Sequence, residues 1–138
     1  MIEIDCDVDP FLPEGWEIES HLKGGQLLWT PANILLYLSD KQKVKGIISG
    51  EELLEELRRK QKKVMNACVL DFLLEHPEKR PDEWRGKFVH FWSTIYRDPL
   101  GNRAVRFLYD KSDGQLGWNS FLHRNVFDNP NYPAACYK

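Results

Sequence analysis

The stretch Asp98-Pro99-Leu100-Gly101-Asn102 constrains this chain more than any other. Pro99 stands where a turn wants φ near about −65°, and Gly101 stands where a left-handed residue is needed. That pattern predicts a three-residue hairpin loop, a type I turn followed by a G1 bulge, pairing Asp98 with Asn102. The register behind the turn then follows. Tyr96 falls opposite Ala104, Thr94 opposite Arg106, Trp92 opposite Leu108 and His90 opposite Asp110.

Because side chains alternate along a strand, this register sorts the hairpin into two faces. Val89, Phe91, Ser93, Ile95, Val105, Phe107 and Tyr109 form an apolar face expected to pack on helices, with Arg97 at its edge. His90, Trp92, Thr94, Tyr96, Arg106, Leu108 and Asp110 form a second face that is only half apolar. A third strand around Gln115–Asn119 should complete a meander. A two-residue Asp113-Gly114 turn is expected there and sets Trp118 beside Tyr109; a three-residue turn would move Trp118 to the mixed face.

Helix signals precede the hairpin. Ser49 and Glu52 have capping-box spacing, and Leu53, Leu54 and Leu57 make an apolar stripe. The acidic start and basic end of this segment suit the helix dipole, and Glu55–Arg59 and Glu56–Lys60 have the favourable spacing for ion pairs. Asn66 caps a second, largely apolar helix that ends before Pro77, with Cys68 an inert thiol within it. Trp84 should anchor the chain ahead of the hairpin. Upstream, 16–22 and 26–30 read as strands joined by the Gly24-Gly25 turn. Thr30-Pro31 could open a helix, but the apolar run Ile34–Leu38 favours a strand, with 44–49 another. The tail from 125 reads as irregular, with Phe127 and Tyr132 tucked over a sheet edge.

These elements predict one α+β domain over 1–138, an antiparallel sheet with a C-terminal β-meander packed against two helices at about 49–62 and 66–76. Charge is unevenly distributed. The segments 1–10 and 14–19 carry seven acidic residues and no basic one, while Arg58, Arg59, Lys60, Lys62 and Lys63 give five basic residues in six. With a net charge of −2 there is no global electrostatic case for nucleic acid or an anionic membrane. Asp5, Asp7 and Asp9 share one side of an extended segment. They do not make a calcium loop, since Pro10 replaces the required glycine and Trp16 the glutamate. Three cysteines without a C-x-x-C, and no signal-peptide or membrane-spanning stretch, suit a reduced cytoplasmic setting. No metal or cofactor motif occurs, and His21, His76 and His123 lack metal spacing.

Two functions from different classes follow. The favoured one is a non-enzymatic binding module that meets a protein partner, or a second copy, through Trp92, Thr94, Tyr96, Arg106 and Leu108, residue types that interfaces favour. The alternative is a small anion-binding hydrolase or transferase in which Asp110 orients His90. A third reading, nucleic-acid binding by the basic 58–63 cluster, competes with its role as a helix end.

The strings NACVLDFLLEHPE, PDEW and FWSTIYRD resemble an uncharacterised family of small bacterial proteins with an N-A-N-V-L-D helix and an F-W-G-T-I-Y-R strand. The resemblance is best over 64–110. Cys68 stands at the family's usual asparagine and Ser93 at its usual glycine. No activity is known for that family, so the resemblance implies element boundaries and no function.

Overall fold

The computed structural model describes residues 2–123, 127 and 130–138. Among these residues, nine strands and three α-helices make one domain of mixed strands and helices. The strands are β1 (Glu3–Asp5), β2 (Glu17–His21), β3 (Gln26–Leu28), β4 (Ile34–Tyr37), β5 (Val89–His90), β6 (Thr94–Arg97), β7 (Arg103–Asp110), β8 (Leu116–Leu122) and β9 (Ala134–Tyr137). The helices are α1 (Asp40–Lys43), α2 (Gly50–Arg59) and α3 (Ala67–Glu75).

Local chemistry sets the helix ends. Ser49 and Glu52 form a reciprocal capping box on α2, and Asn66 caps α3 by accepting from the Cys68 N–H. Gly50, the first residue of α2, lies against the end of β8, where a Cβ would come within 2.6 Å of the His123 carbonyl oxygen. Only glycine lets these backbones approach so closely. The expected Glu56–Lys60 pair does not form. Glu56 instead accepts from the Tyr37 hydroxyl, and Lys60 lies over the Tyr37 ring.

The Asp98–Asn102 loop forms as its sequence dictates, with Gly101 at φ 81° and Tyr96 paired with Ala104. Behind it the continuous hairpin breaks. The Phe91 N–H still donates to the Arg106 carbonyl of β7, but Trp92 and Ser93 leave the ladder, and Ser93 bonds instead to the connection between α2 and α3. Its N–H donates to the Met65 carbonyl, its hydroxyl donates to the Val64 carbonyl, and its own carbonyl accepts from Leu22. Beyond this excursion Val89 pairs with Leu108, and His90 with Phe107 rather than Asp110.

The consequence is a forked sheet. β8 covers one edge of β7, from Ala104↔Leu122 to Asp110↔Leu116. β6 and β5 share the other edge in tandem, β6 leading to β2 and β5 leading to β9 and β4. The β5–β9 pair is parallel, so the seven-stranded sheet is mixed and not the antiparallel sheet expected. β1 and β3 make a separate two-stranded sheet, so β2 and β3 do not form the hairpin the Gly24-Gly25 turn suggested.

Other expectations are corrected in the same way. The segment 134–137 is a central strand rather than irregular tail, since β9 lies between β4 and β5. The 30–42 segment combines a turn of 3-10 helix, β4 and the short helix α1, whose Ser39–Gln42 capping box ends the strand. The 44–49 segment is not a strand. Ser112, Asp113 and Gly114 make a three-residue turn, with Lys111 bonded to Gln115, so Trp118 sits opposite Leu108 and not beside Tyr109.

Two apolar clusters fill the interior. α3 supplies Cys68, Val69, Leu70 and Leu73 to one, against Val89, Phe91, Leu108 and Trp84. Leu53 and Leu57 of α2 join Trp92, Ile95, Val105, Phe127 and Cys136 in the other. Trp84 anchors the chain as expected, edge-on to Trp29 and Phe91. Among the described residues no helix is long and apolar enough to cross a membrane.

Candidate functional site

The mixed face of the hairpin is covered. Trp92, Thr94, Tyr96, Arg106 and Leu108 are each no more than 2% exposed, so none presents the open binding surface expected from the sequence. Trp92 does not even share the side of Arg106. The excursion at 91–93 turns it into the second cluster, against His123 and Phe127.

The His90–Asp110 pair is absent for the same reason. His90 is enclosed by Trp92, Phe107, Phe121, Phe127 and Tyr132. Its Nδ1–H donates to the Phe88 carbonyl, and Nε2 has no hydrogen-bond partner among the described residues. Burial pushes its pKa down to about 3, which keeps the ring neutral. Asp110 instead accepts from Arg80 and from the Gly86 N–H. These donors hold its carboxyl below the usual range against the opposing effect of burial.

Thr94 works inside the core. Its hydroxyl oxygen accepts from the Ala67 N–H at the start of α3 and lies 2.8 Å from His21 Nδ1. The tautomer that satisfies every partner has the hydroxyl donating to Nδ1 and Nε2–H donating to the Val8 carbonyl. Cys68 Sγ lies 3.7 Å from that Nε2 and also donates to Val8. Burial raises the thiol to about 12, followed by the influence of Cys6 and the nearby aspartates. Cys68 is therefore a thiol and not an activated nucleophile.

Arg106 is where the mixed face meets an opening. Its Nη1 donates to the Tyr96 hydroxyl, which donates to the Phe11 carbonyl; the Phe11 N–H donates to Asp71 on α3. Asp71 Oδ1 closes the ring at 3.0 Å from Arg106 Nη2, as an ion pair rather than an aligned hydrogen bond. The guanidinium also lies 4.3 Å from the centre of the Trp118 ring. This network straps the N-terminal segment across α3 and β7.

Beside the strap lies a cleft of about 600 Å³ between the N-terminal segment, α3 and β8, with Arg106 and Trp118 in its lining. Its other charged residues are Glu3, Asp5, Asp9, Asp71 and Glu75, so five carboxylates face one cation that is already paired. Phe11, Phe72, Leu74 and Val8 supply apolar walls, and Val8, Phe11 and Leu12 continue outside as a patch about half exposed at each residue. The acidic N-terminal run signalled this charge, but only the fold brings it against α3.

A second cleft of about 260 Å³ lies around the start of α3 and the end of α2. Arg58, Lys62 and Lys63 of the predicted basic patch line it, joined by Lys23. Arg59 and Lys60 do not line it. Among the described residues no group of three or more His, Cys, Asp or Glu side chains could hold a metal ion. No family model, curated protein or solved structure matches the chain.

Proposed function

We propose that this protein is a non-enzymatic binding module whose acidic cleft takes a basic, partly apolar segment of a protein partner. The observation that carries this reading is the cleft's composition. Glu3, Asp5, Asp9 and Glu75, beside the Asp71–Arg106 ion pair, line it together with walls of Phe11, Phe72, Leu74 and Trp118. Such a site attracts cations electrostatically and rewards an apolar side chain that follows them in. The exposed Val8, Phe11 and Leu12 extend the contact beyond the cleft, as an interface rim with buried anchors would. Arg106 serves this reading as a scaffold that holds the cleft's floor. The enzymatic alternative loses its support, since His90 and Asp110 do not meet. The resemblance over 64–110 adds no activity, and we place the module in the cytoplasm.

The test is binding of a synthetic peptide alternating lysine and leucine, followed by fluorescence anisotropy. The peptide should bind saturably and weaken with salt, and Asp9→Lys/Glu75→Lys should reduce affinity at least tenfold. Both positions are exposed, so the fold should survive. A peptide with glutamate in place of lysine that binds equally well would sink the proposal.

A further inference from the structure

The second cleft has the opposite character, and it stands independently of the acidic one. Lys23, Arg58, Lys62 and Lys63 line it from two separate parts of the chain, and among the described residues no carboxylate does. Among the described residues none of the four makes an ion pair, in a chain whose acidic residues outnumber its basic ones. These exposed cations share the lining with Leu54 and the buried Leu57, Val69 and Ile95, so the cleft combines charge with an apolar wall.

The backbone that presents the cations is fixed. Gln61 adopts φ 53° to end α2, and the Lys62 N–H donates to the Leu57 carbonyl. The Lys63 carbonyl accepts from Tyr137 at the end of β9, while Val64 bridges to Cys136. On the other side, the Gly24 N–H donates to the Cys6 carbonyl and holds the turn after Lys23. The helix dipole accounts for Arg58 near the end of α2, but not for Lys23, which belongs to a different segment.

We propose that this cleft binds a small anionic amphiphile, an apolar chain ending in a carboxylate. Its volume is near the lower limit for small-molecule pockets, which suits a single tail. Lys23, Arg58 and Lys63 stand exposed along the lining where the carboxylate would lie, Lys62 sits beside them over the Tyr37 ring, and the apolar wall removes the tail from water. A nucleic acid fits less well, because single-strand binding needs exposed rings for stacking, whereas of the cleft's two aromatic rings Trp92 is 1% exposed and Tyr137 is half-buried.

The experiment is isothermal titration of the full chain with decanoate below its micelle-forming concentration, against butyrate, decanol and decylamine. Decanoate should bind at one saturable site. Butyrate, which lacks the tail, and decanol, which lacks the charge, should each bind at least tenfold more weakly, and decylamine should not bind there. Lys62→Glu/Lys63→Glu and, separately, Lys23→Glu should each weaken decanoate at least tenfold, whereas Asp9→Lys/Glu75→Lys in the acidic cleft should leave it unchanged. Equal affinity for butyrate would reduce the cleft to a general anion patch and overturn the proposal. Equal affinity for decanol, or indifference to both charge reversals, would do the same. So would absence of decanoate binding alongside binding of poly(U) that the same reversals abolish.

Discussion

Arg106 and His90 leave the same hairpin toward opposite faces, and the fold treats the two basic groups in opposite ways. Arg106 stays charged at 1% exposure, because Asp71, the Tyr96 hydroxyl and the Trp118 ring replace its water. His90 has aromatic rings on its side and, among the described residues, neither a carboxylate nor a partner for Nε2, so burial leaves it neutral. The difference lies in what each side packs against. α3 offers Asp71 to the first, whereas Phe121 and Phe127 close over the second. A buried cation with a partner becomes a structural tie, and a buried base without one becomes a liability in acid.

The most damaging way to break this comparison is to remove the partner of the charged member. Asp71→Ala should strand the Arg106 cation and free the Phe11 N–H, costing about 3 kcal/mol of stability in urea unfolding, the low end for breaking a buried pair because Asp71 is partly exposed. Arg106→Met on top of it should recover much of the loss, since an apolar pair of similar volume carries no charge to desolvate. If Asp71→Ala costs less than about 1 kcal/mol, the strap is not what holds the N-terminal segment.

The neutral member should reveal itself by pH. A histidine whose folded pKa lies below its unfolded value binds its proton more readily in the unfolded chain. Stability is therefore fully present above the unfolded pKa, near about 6.5, and falls as pH drops toward the folded value. Burial lowers His90 to about 3 and His123 to about 4, with Arg103 adding to the latter. Between pH 6.5 and 4.5 each should remove about 2 kcal/mol, a slope of about 1.4 kcal/mol per pH unit per histidine at most. His90→Phe keeps an aromatic ring in the aromatic box and should flatten that slope by roughly half in urea titrations at a series of pH values. An unchanged slope would mean that His90 takes up its proton without unfolding.

Local signals in the sequence went a long way toward the fold. The Asp98–Asn102 loop, both capping residues Ser49 and Asn66, and the Trp84 anchor are local chemistry, and each stands as its residues dictate. What was not legible is long-range. Ser93 looks like an ordinary strand residue, and nothing nearby shows that its hydrogen bonds go to residues 64 and 65. That one exchange splits the sheet, separates His90 from Asp110 and turns Trp92 away from Arg106. Arg106 is buried rather than open, and its place in the structure depends on Asp71 of α3 and Trp118 of β8, contacts that do not follow from spacing. The basic cluster was visible as a string; that Arg58, Lys62 and Lys63 share a cleft with Lys23 was not.

The smallest effects on stability should come from the two clefts, and their smallness is informative. Glu75 lies on the acidic side and Lys62 on the basic side, both exposed and neither in an ion pair among the described residues. Glu75→Lys and Lys62→Glu should each change unfolding free energy by no more than about 0.5 kcal/mol. If the 58–63 cations were there chiefly to complement the α2 dipole, reversing Lys62 should cost up to about 1 kcal/mol at low salt and less as salt is added. Lys62 lies two residues beyond the cap of α2, with its ammonium over the Tyr37 ring. A salt-sensitive loss of that size would return the basic cluster to the helix. A change near zero would mean that the charges of this cleft, unlike the tie between Arg106 and Asp71, do not hold the fold together.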